Sequence, residues 1–195
     1  MKLADGTLTL APRHAREIAS YHVHQGRSND CGPHVVAMAV NFWHGRTVLD
    51  AAEVARTMNR PRFGLGLPPL VVRRVPGWAT FPWGIADMLR AHGVPARWRV
   101  GAREDDLHRA LEEDRLLMPI YGEPWRRRGL RWTGWSHVAL LCGWEPATGL
   151  YWFVDSSRTV APSSRPRDEF LRLWGNMGHL LIETVQGVSA EMGAK

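Results

Sequence analysis

The sequence is poor in cross-linking residues and has no long hydrophobic run. Only two cysteines occur among its 195 residues, so no disulfide framework is indicated. No apolar run approaches the length of a membrane-spanning helix. Residues 1–8 lack the long apolar segment of a signal peptide. These features predict a cytoplasmic protein without a membrane span, and they leave open a leader that has been removed.

Lysine is nearly absent as well. It occurs only at the two ends of the chain, as Lys2 and Lys195, so arginine carries almost all of the positive charge. Basic residues outnumber acidic ones by 25 to 19, which gives a net charge of +6. This balance favours acidic partners without identifying one.

Length and composition are those of one globular domain. Hydrophobic residues make up 45% of the chain and charged residues 23%, as in ordinary globular proteins. We expect a single domain over residues 1–195, with residues 1–20 and 187–195 at its periphery. The ten tryptophans are unusual: they help to fill a core, and some of them can line a groove.

Hydrophobic spacing and turn residues predict helices first and mostly antiparallel strands afterwards. The predicted helices cover residues 30–44, 48–58, 82–92, 103–113 and 167–174. The predicted strands cover residues 96–100, 116–121, 136–144, 150–155 and 179–185. Long loops are predicted at 59–82 and 122–134, where proline, glycine and arginine concentrate. This order is typical of an α+β fold in which N-terminal helices pack on an antiparallel sheet.

The segment from Gln25 to Pro33 is the strongest indication of chemistry. It places Cys31 at the start of a predicted helix, six residues after the side-chain amide of Gln25. The N–H groups and partial positive charge of a helix N-terminus stabilise a thiolate. A glutamine amide and a backbone N–H can stabilise the oxyanion that forms when the thiolate attacks a carbonyl. We therefore interpret Cys31 as a candidate nucleophile and Gln25 as a candidate oxyanion donor.

A predicted β-hairpin supplies a base and its partner. If the turn at 145–149 centres near Ala147, then residues whose numbers add up to about 294 face each other. His137 then lies close to Asp155, and the two side chains can share a face of the sheet. A histidine held by an aspartate is the general base that a cysteine nucleophile needs.

The second cysteine, Cys142, follows His137 by five residues and is predicted to face the opposite side of its strand. It stands between Leu141 and Gly143 and is interpreted as a buried core thiol. Two cysteines are enough for one disulfide, but a Cys31–Cys142 bond would leave Cys31 without the free thiol that a nucleophile needs. We therefore expect two free thiols.

These residues together resemble a known family. The chain is similar to the papain-like cysteine peptidases of the C39-like group, which are related to the bacteriocin leader peptidases. The matching segments are 25–33, Met38, 41–45, 107–120, 134–140, 143–144 and 154–156. The resemblance implies a papain-like fold in one C39-like domain, with Cys31 as nucleophile, His137 as base, Asp155 as its orienting partner and Gln25 as oxyanion donor. It also implies that no cofactor and no metal are needed.

The sequence departs from the family pattern in three places. Ser156 follows Asp155 where some members have proline, and His34 stands where a small residue is commoner. The arginine- and tryptophan-rich loops are not shared either, so the substrate preference of the family does not transfer to this chain.

Those loops are predicted to border the active-site cleft. Candidate substrate-binding residues are Trp125, Arg126, Trp132 and Trp135, which suit a peptide or protein substrate of acidic character. Arginine beside tryptophan can also bind nucleic acid, but a solvated loop or a groove wall is the favoured interpretation and no nucleic acid is expected. His22 and His24 alternate as metal ligands can, but no nearby acidic residue or cysteine completes a site.

The sequence thus predicts a thiol-dependent hydrolase, a cysteine peptidase working through an acyl-enzyme. Two alternatives remain open: an acyltransferase resembling transglutaminases that uses the same triad, and a peptide-binding module that kept the fold and lost catalysis. The oligomeric state is left undetermined.

Overall fold

The computed structural model describes residues 15–63, 70–128 and 131–188. The helices are α1 (Ala15–Ser20), α2 (Cys31–Trp43), α3 (Ala51–Met58), α4 (Pro82–Ala91), α5 (Glu104–Glu112) and α6 (Arg167–Gly175). The first strands are β1 (Arg62–Phe63), β2 (Leu70–Val71), β3 (Arg74–Val75), β4 (Ala79–Thr80) and β5 (Ala96–Arg99). The later strands are β6 (Leu117–Arg128), β7 (Arg131–Val138), β8 (Leu140–Glu145), β9 (Leu150–Val154), β10 (Ser163–Pro166) and β11 (Leu181–Thr184).

Side chains of α2 are buried along nearly its whole length, as its hydrophobic sequence predicts. The turn that follows is fixed by Asn41, whose Oδ1 accepts hydrogen bonds from the N–H groups of Val48 and Leu49 at 2.8 and 2.9 Å. The next helix, α3, begins at Ala51 rather than at residue 48. The reason is Asp50, whose carboxylate caps the helix by accepting from the N–H groups at its start.

The central sheet is antiparallel, with strand order β10-β9-β8-β6-β11-β5, and β7 pairs with β6 outside this path. Helices α1 to α4 pack on one face, where Met118, Leu140 and Ile182 belong to the same core as α2. Helices α5 and α6 cover the other face, where Leu117 and Leu141 contribute to a second core. Successive side chains of each strand therefore point into two different cores, one on each face of the sheet. The α+β prediction is confirmed.

Residues 1–20 were expected to be peripheral. Within that stretch, Ala15–Ser20 form α1, and Ile18 is 1% exposed in the core around α2. At the other end, Val188 is 9% exposed in the same core. Residues 1–14 and 189–195 lie outside the described residues.

The predicted loop at 122–134 is wrong. β6 and β7 instead form a long antiparallel pair, which we call the β6–β7 arm (residues 120–128 and 131–138), with a register shift between Glu123 and Arg126. Residues 129–130 lie outside the described residues. Glycine permits this pairing: a Cβ on Gly122 would collide with the carbonyl oxygen of Trp135, and one on Gly134 would lie 2.7 Å from the Cα of Trp125. The glycines that suggested a loop therefore allow two strands to approach closely.

The predicted loop at 59–82 is also wrong in part. It contains two short antiparallel pairs, β1 with β2 and β3 with β4, and residues 64–69 lie outside the described residues. The single strand predicted at 136–144 is two strands, β7 and β8, interrupted at Ala139. The strand β10 was not predicted.

The hairpin of β8 and β9 has the predicted register. Leu140 pairs with Val154 and Leu141 with Phe153, so each pair adds up to 294. The register then shifts by one residue past Cys142, so that Gly143 pairs with Trp152.

One carboxylate is completely buried in the sheet. Glu183 of β11 is 0% exposed and pairs with Arg97, Arg99 and Arg115 at 2.9, 3.0 and 2.8 Å. Three guanidinium groups compensate the cost of burying this charge. No helix among the described residues is both long and apolar enough to span a membrane.

Candidate active site

Cys31 is the first residue of α2, so its side chain lies at the positive end of that helix. The preceding residue, Asp30, does not cap the helix with its side chain. Its carboxylate pairs instead with the buried guanidinium of Arg74 on β3. Cys31 is 9% exposed, and the backbone N–H groups of Gly32 and Val138 help to lower the pKa of its thiol. The structure thus places Cys31 at the start of a helix, and its role as a nucleophile stays a prediction.

His137 reaches both Cys31 and Asp155. It lies on β7, directly opposite Tyr121 of β6, and its side chain is mostly buried. Its Nε2 is 2.7 Å from Oδ1 of Asp155. Because Nε2 is engaged, Nδ1 is the ring nitrogen left for the hydrogen bond with the Cys31 thiol.

Asp155 follows the last residue of β9 and is 3% exposed. Besides His137, its Oδ1 accepts from the backbone N–H and the hydroxyl of Ser157, at 2.8 and 2.7 Å. Its Oδ2 accepts from the hydroxyl of Tyr121 at 3.2 Å. Its backbone carbonyl oxygen lies 3.0 Å from Nε2 of His22. This buried carboxylate is therefore held in one orientation, with Oδ1 toward His137.

Charge in the site follows from these contacts. Burial opposes ionisation of the Cys31 thiol, but the hydrogen bond and charge of His137 outweigh it and lower the pKa of Cys31. Burial likewise disfavours a charged imidazole, but hydrogen bonds to Asp155 and Cys31 raise the pKa of His137 to about 9. Despite its burial, Asp155 keeps a pKa well below its usual range because His137 and Ser157 donate to it. At neutral pH these shifts favour a thiolate–imidazolium pair.

Gln25 lies beside the turn that carries Asp155. Its backbone N–H donates to the carbonyl of Ser156 at 2.8 Å, and its Oε1 accepts from the Ser156 hydroxyl at 2.7 Å. Its Nε2 donates to the carbonyl of Ser28 at 2.8 Å. An amide nitrogen carries two hydrogens, so one N–H remains for a further acceptor. The residue is thus fixed between the segment leading to Cys31 and the Asp155 turn.

A small cavity of about 20 Å³ lies at the Cys31 thiol, with room for about one water molecule. The residues that line it are Asn29, Cys31, Trp78, Ala79, Thr80, Ile120, Ser136, His137 and Val138. The β3–β4 hairpin therefore forms one wall. Asn29 holds its tip by donating to the carbonyl of Trp78 at 2.8 Å. This part of the predicted loop 59–82 does border the site.

The four candidate substrate-binding residues lie on the β6–β7 arm. Trp125 and Trp135 are 51% and 42% exposed, and Trp135 precedes His137 by two residues. Arg126 and Trp135 line a second cavity of about 430 Å³. The side chain of Trp132 lies outside the described residues. The arm therefore carries an exposed aromatic and cationic surface that begins next to the base.

Cys142 is a free thiol, as is Cys31. It is 3% exposed, and burial raises its pKa to about 12. Neither ionisation nor a disulfide is available to it here, which agrees with its interpretation as a core residue. Within the described ranges, no group of three histidine, cysteine or carboxylate side chains could hold a metal ion.

Sequence reasoning missed three contacts of the site. Tyr121 and Ser157 donate to Asp155, and His22 contacts its carbonyl. Ser157 could have been found, since a serine two residues after an aspartate commonly closes a turn with it. Tyr121 could not, because its pairing with His137 depends on the unpredicted β6–β7 arm.

Comparison with known proteins supports the fold. No protein-family model and no curated protein sequence matches the chain. Among solved structures, the fold is similar to a crystal structure from Bacillus anthracis that is provisionally described as a C39-like peptidase. The TM-score is 0.62, with 13% sequence identity over 86% of this chain and 95% of that one. At this identity the likeness concerns the fold alone.

Proposed function

We propose that the chain is a thiol-dependent hydrolase, a cysteine peptidase with a papain-like fold of the C39-like kind. One arrangement carries the proposal: Cys31 opens a helix, the hydrogen bond and charge of His137 lower the pKa of its thiol, and Nε2 of His137 lies 2.7 Å from the buried carboxylate of Asp155. The similarity to a structure described as a C39-like peptidase adds support for the fold. The activity itself rests on the geometry.

The mechanism assigns one step to each group. The Cys31 thiolate attacks the carbonyl carbon of a peptide bond, and the electron pair of the C=O bond moves to its oxygen. The backbone N–H of Cys31 and the second N–H of Gln25 stabilise that oxyanion. The imidazolium of His137 then gives its proton to the amide nitrogen. The electron pair on the oxyanion re-forms the C=O bond, so the C–N bond breaks and an amine leaves. A thioester joins Cys31 to the acyl part of the substrate.

Water resolves the thioester. Neutral His137 takes a proton from the water, whose oxygen attacks the acyl carbon and moves the C=O electron pair onto the carbonyl oxygen. Return of that pair re-forms the C=O bond and breaks the C–S bond, so the thiolate and a carboxylic acid leave. Asp155 keeps Nε2 of His137 protonated, so that Nδ1 is the nitrogen that accepts and returns protons. Every proton and electron pair is accounted for by the residues present and one water, so this mechanism requires no cofactor.

The surroundings suit an acidic peptide. The β6–β7 arm presents Arg126 and the exposed rings of Trp125 and Trp135 beside the base. A carboxylate-bearing chain could pair with the guanidinium group while its apolar atoms contact the tryptophans. We therefore expect peptides with acidic residues near the cleaved bond to be the preferred substrates.

The test uses a mixed library of fluorogenic peptides, acidic and neutral, with and without an amine acceptor. Cys31→Ala and His137→Ala should each abolish cleavage and keep the thermal unfolding transition, whereas Cys142→Ala should cleave as the wild type does. Cleavage that persists in Cys31→Ala would rule out the mechanism. Faster transfer to the amine than to water would instead identify an acyltransferase.

A further inference from the structure

Tyr121 contacts both the base and its orienting partner. On β6 it lies directly opposite His137, with the two rings edge to face and their centres 5.6 Å apart. Its hydroxyl donates to Oδ2 of Asp155 at 3.2 Å. The residue is 1% exposed, so both contacts lie in the interior of the protein.

The two oxygens of Asp155 face different donors. Oδ1 accepts from His137 and twice from Ser157, whereas Oδ2 faces Tyr121. Ser157 already fixes the orientation of the carboxylate, so the tyrosine is not required for that. What the tyrosine adds is a positive hydrogen on the second oxygen, which takes up part of the negative charge that His137 would otherwise experience.

Other titratable and charged groups of the described residues contact this pair. Cys31 faces His137 from α2, and His22 contacts the Asp155 carbonyl. Arg165 of β10 places its guanidinium 5.2 Å from the centre of the Tyr121 ring. Burial and the neighbouring Asp155 raise the pKa of Tyr121, so its hydroxyl stays protonated and donates throughout the working range.

We propose that Tyr121 is a positioning residue that acts through Asp155 and keeps His137 acidic enough to release its proton to the leaving amine. The inference rests on the proposed function. Asp155 must stabilise the imidazolium of His137. If it stabilised the charged form too strongly, proton transfer to the leaving amine would slow, because a general acid works best when its pKa is near the working pH. The hydrogen bond from Tyr121 to Asp155 weakens the stabilisation of the imidazolium by this carboxylate.

The experiment measures the pH dependence of Cys31 alkylation by iodoacetamide in the full-length protein, read by peptide mass spectrometry. In the wild type, a lower inflection reports formation of the thiolate, and an upper one near 9 reports loss of the His137 proton. Tyr121→Phe removes the hydroxyl and keeps the ring against Phe153 and Phe170. We expect the upper inflection to rise by roughly half a pH unit, about threefold tighter proton binding, and the lower one to fall.

Tyr151→Phe is the matched control. Tyr151 is equally buried and also donates to a carboxylate, Glu104, at 2.7 Å, but it touches neither His137 nor Asp155 in the described contacts. This variant should leave both inflections at their wild-type positions. Arg165→Gln should move them in the same direction as Tyr121→Phe by a smaller amount, since it weakens the polarisation of the tyrosine. It also provides a second test should Tyr121→Phe fold poorly.

The outcomes separate the two claims. If the wild type shows an ordinary thiol and no inflection near 9, the proposed function fails. If the wild type shows both inflections but Tyr121→Phe and Arg165→Gln leave them unchanged or bring them closer together, the role of Tyr121 is overturned and the proposed function stands.

Discussion

The two cysteines are both buried and yet chemically opposite. Cys142 lies in the sheet among apolar neighbours, and burial alone raises its pKa to about 12. Cys31 is almost as buried, but the hydrogen bond and charge of His137, together with the backbone N–H groups of Val138 and Gly32, lower its pKa. Burial by itself makes a thiol inert, whereas burial together with an oriented cation makes it a nucleophile. The difference lies in the partners rather than in exposure.

The largest expected difference is the rate of alkylation. At pH 7 a thiol with a pKa of about 12 is ionised in about one molecule in 10⁵, whereas the Cys31 thiolate predominates in the proposed pair. Iodoacetamide should therefore modify Cys31 at least about 1,000-fold faster than Cys142 in the native protein, as measured by peptide mapping. In guanidinium chloride the two rates should converge. Equal rates in the native state would remove the distinction.

Asp155→Asn should move Cys31 toward the behaviour of Cys142. The amide keeps the shape of the carboxylate but removes its charge, so the pKa of His137 falls from about 9 and the pKa of Cys31 rises. We expect alkylation of Cys31 at pH 6 to slow by roughly tenfold to a hundredfold. Asp168→Asn, which alters an exposed aspartate of α6, is the control. An unchanged rate in Asp155→Asn would mean that the carboxylate does not act on the pair.

The pH dependence of turnover should show two limbs. The thiolate forms above the lowered pKa of Cys31, and the imidazolium is lost above the raised pKa of His137, about 9. Peptide cleavage should therefore fall as pH rises through 9, approaching a tenfold loss per unit, and fall again in acid. Cys142→Ala should give the same profile. A rate that keeps rising from pH 8 to 10 would indicate an ordinary thiol instead.

The smallest effect on the thiols should come from a second buried carboxylate. Glu183→Gln leaves three arginines without their shared anion, so the free energy of unfolding should fall by about 3–5 kcal/mol. Cys31 alkylation should keep its wild-type rate below the unfolding transition. Chemical denaturation and alkylation of the same sample check both statements. A large change in the alkylation rate would connect the Glu183 cluster to the site.

Local signals in the sequence account for much of this comparison. The pattern around Cys31 predicted the start of α2, and the turn at 145–149 predicted the register of β8 and β9. These features depend on neighbouring residues, which a single sequence displays directly. The buried, unreactive environment of Cys142 followed from the same strand alternation.

The surroundings of His137 depend on distant residues and were predicted less well. His137 was placed on the same hairpin as Asp155, but the strand breaks at Ala139, and His137 lies on β7, where it pairs with Tyr121 of β6. It still meets Asp155, because both residues lie just beyond the last pair of the β8–β9 ladder, Leu140 with Val154. The segments that form β6 and β7 contain Gly122, Pro124 and Gly134, residue types that favour loops. The pairing of the two strands could therefore not be predicted from the sequence.

The groups of the site come from different layers of the molecule, and this has a consequence during synthesis. Cys31 belongs to the helical layer, whereas His137 and Asp155 belong to the sheet, more than 100 residues later in the chain. A nascent chain that has exposed only its first helices carries an ordinary thiol. Reactivity arises when the sheet docks on α2. In the proposed mechanism, the order of residues along the chain thus delays the appearance of a reactive nucleophile until His137 and Asp155 have been made.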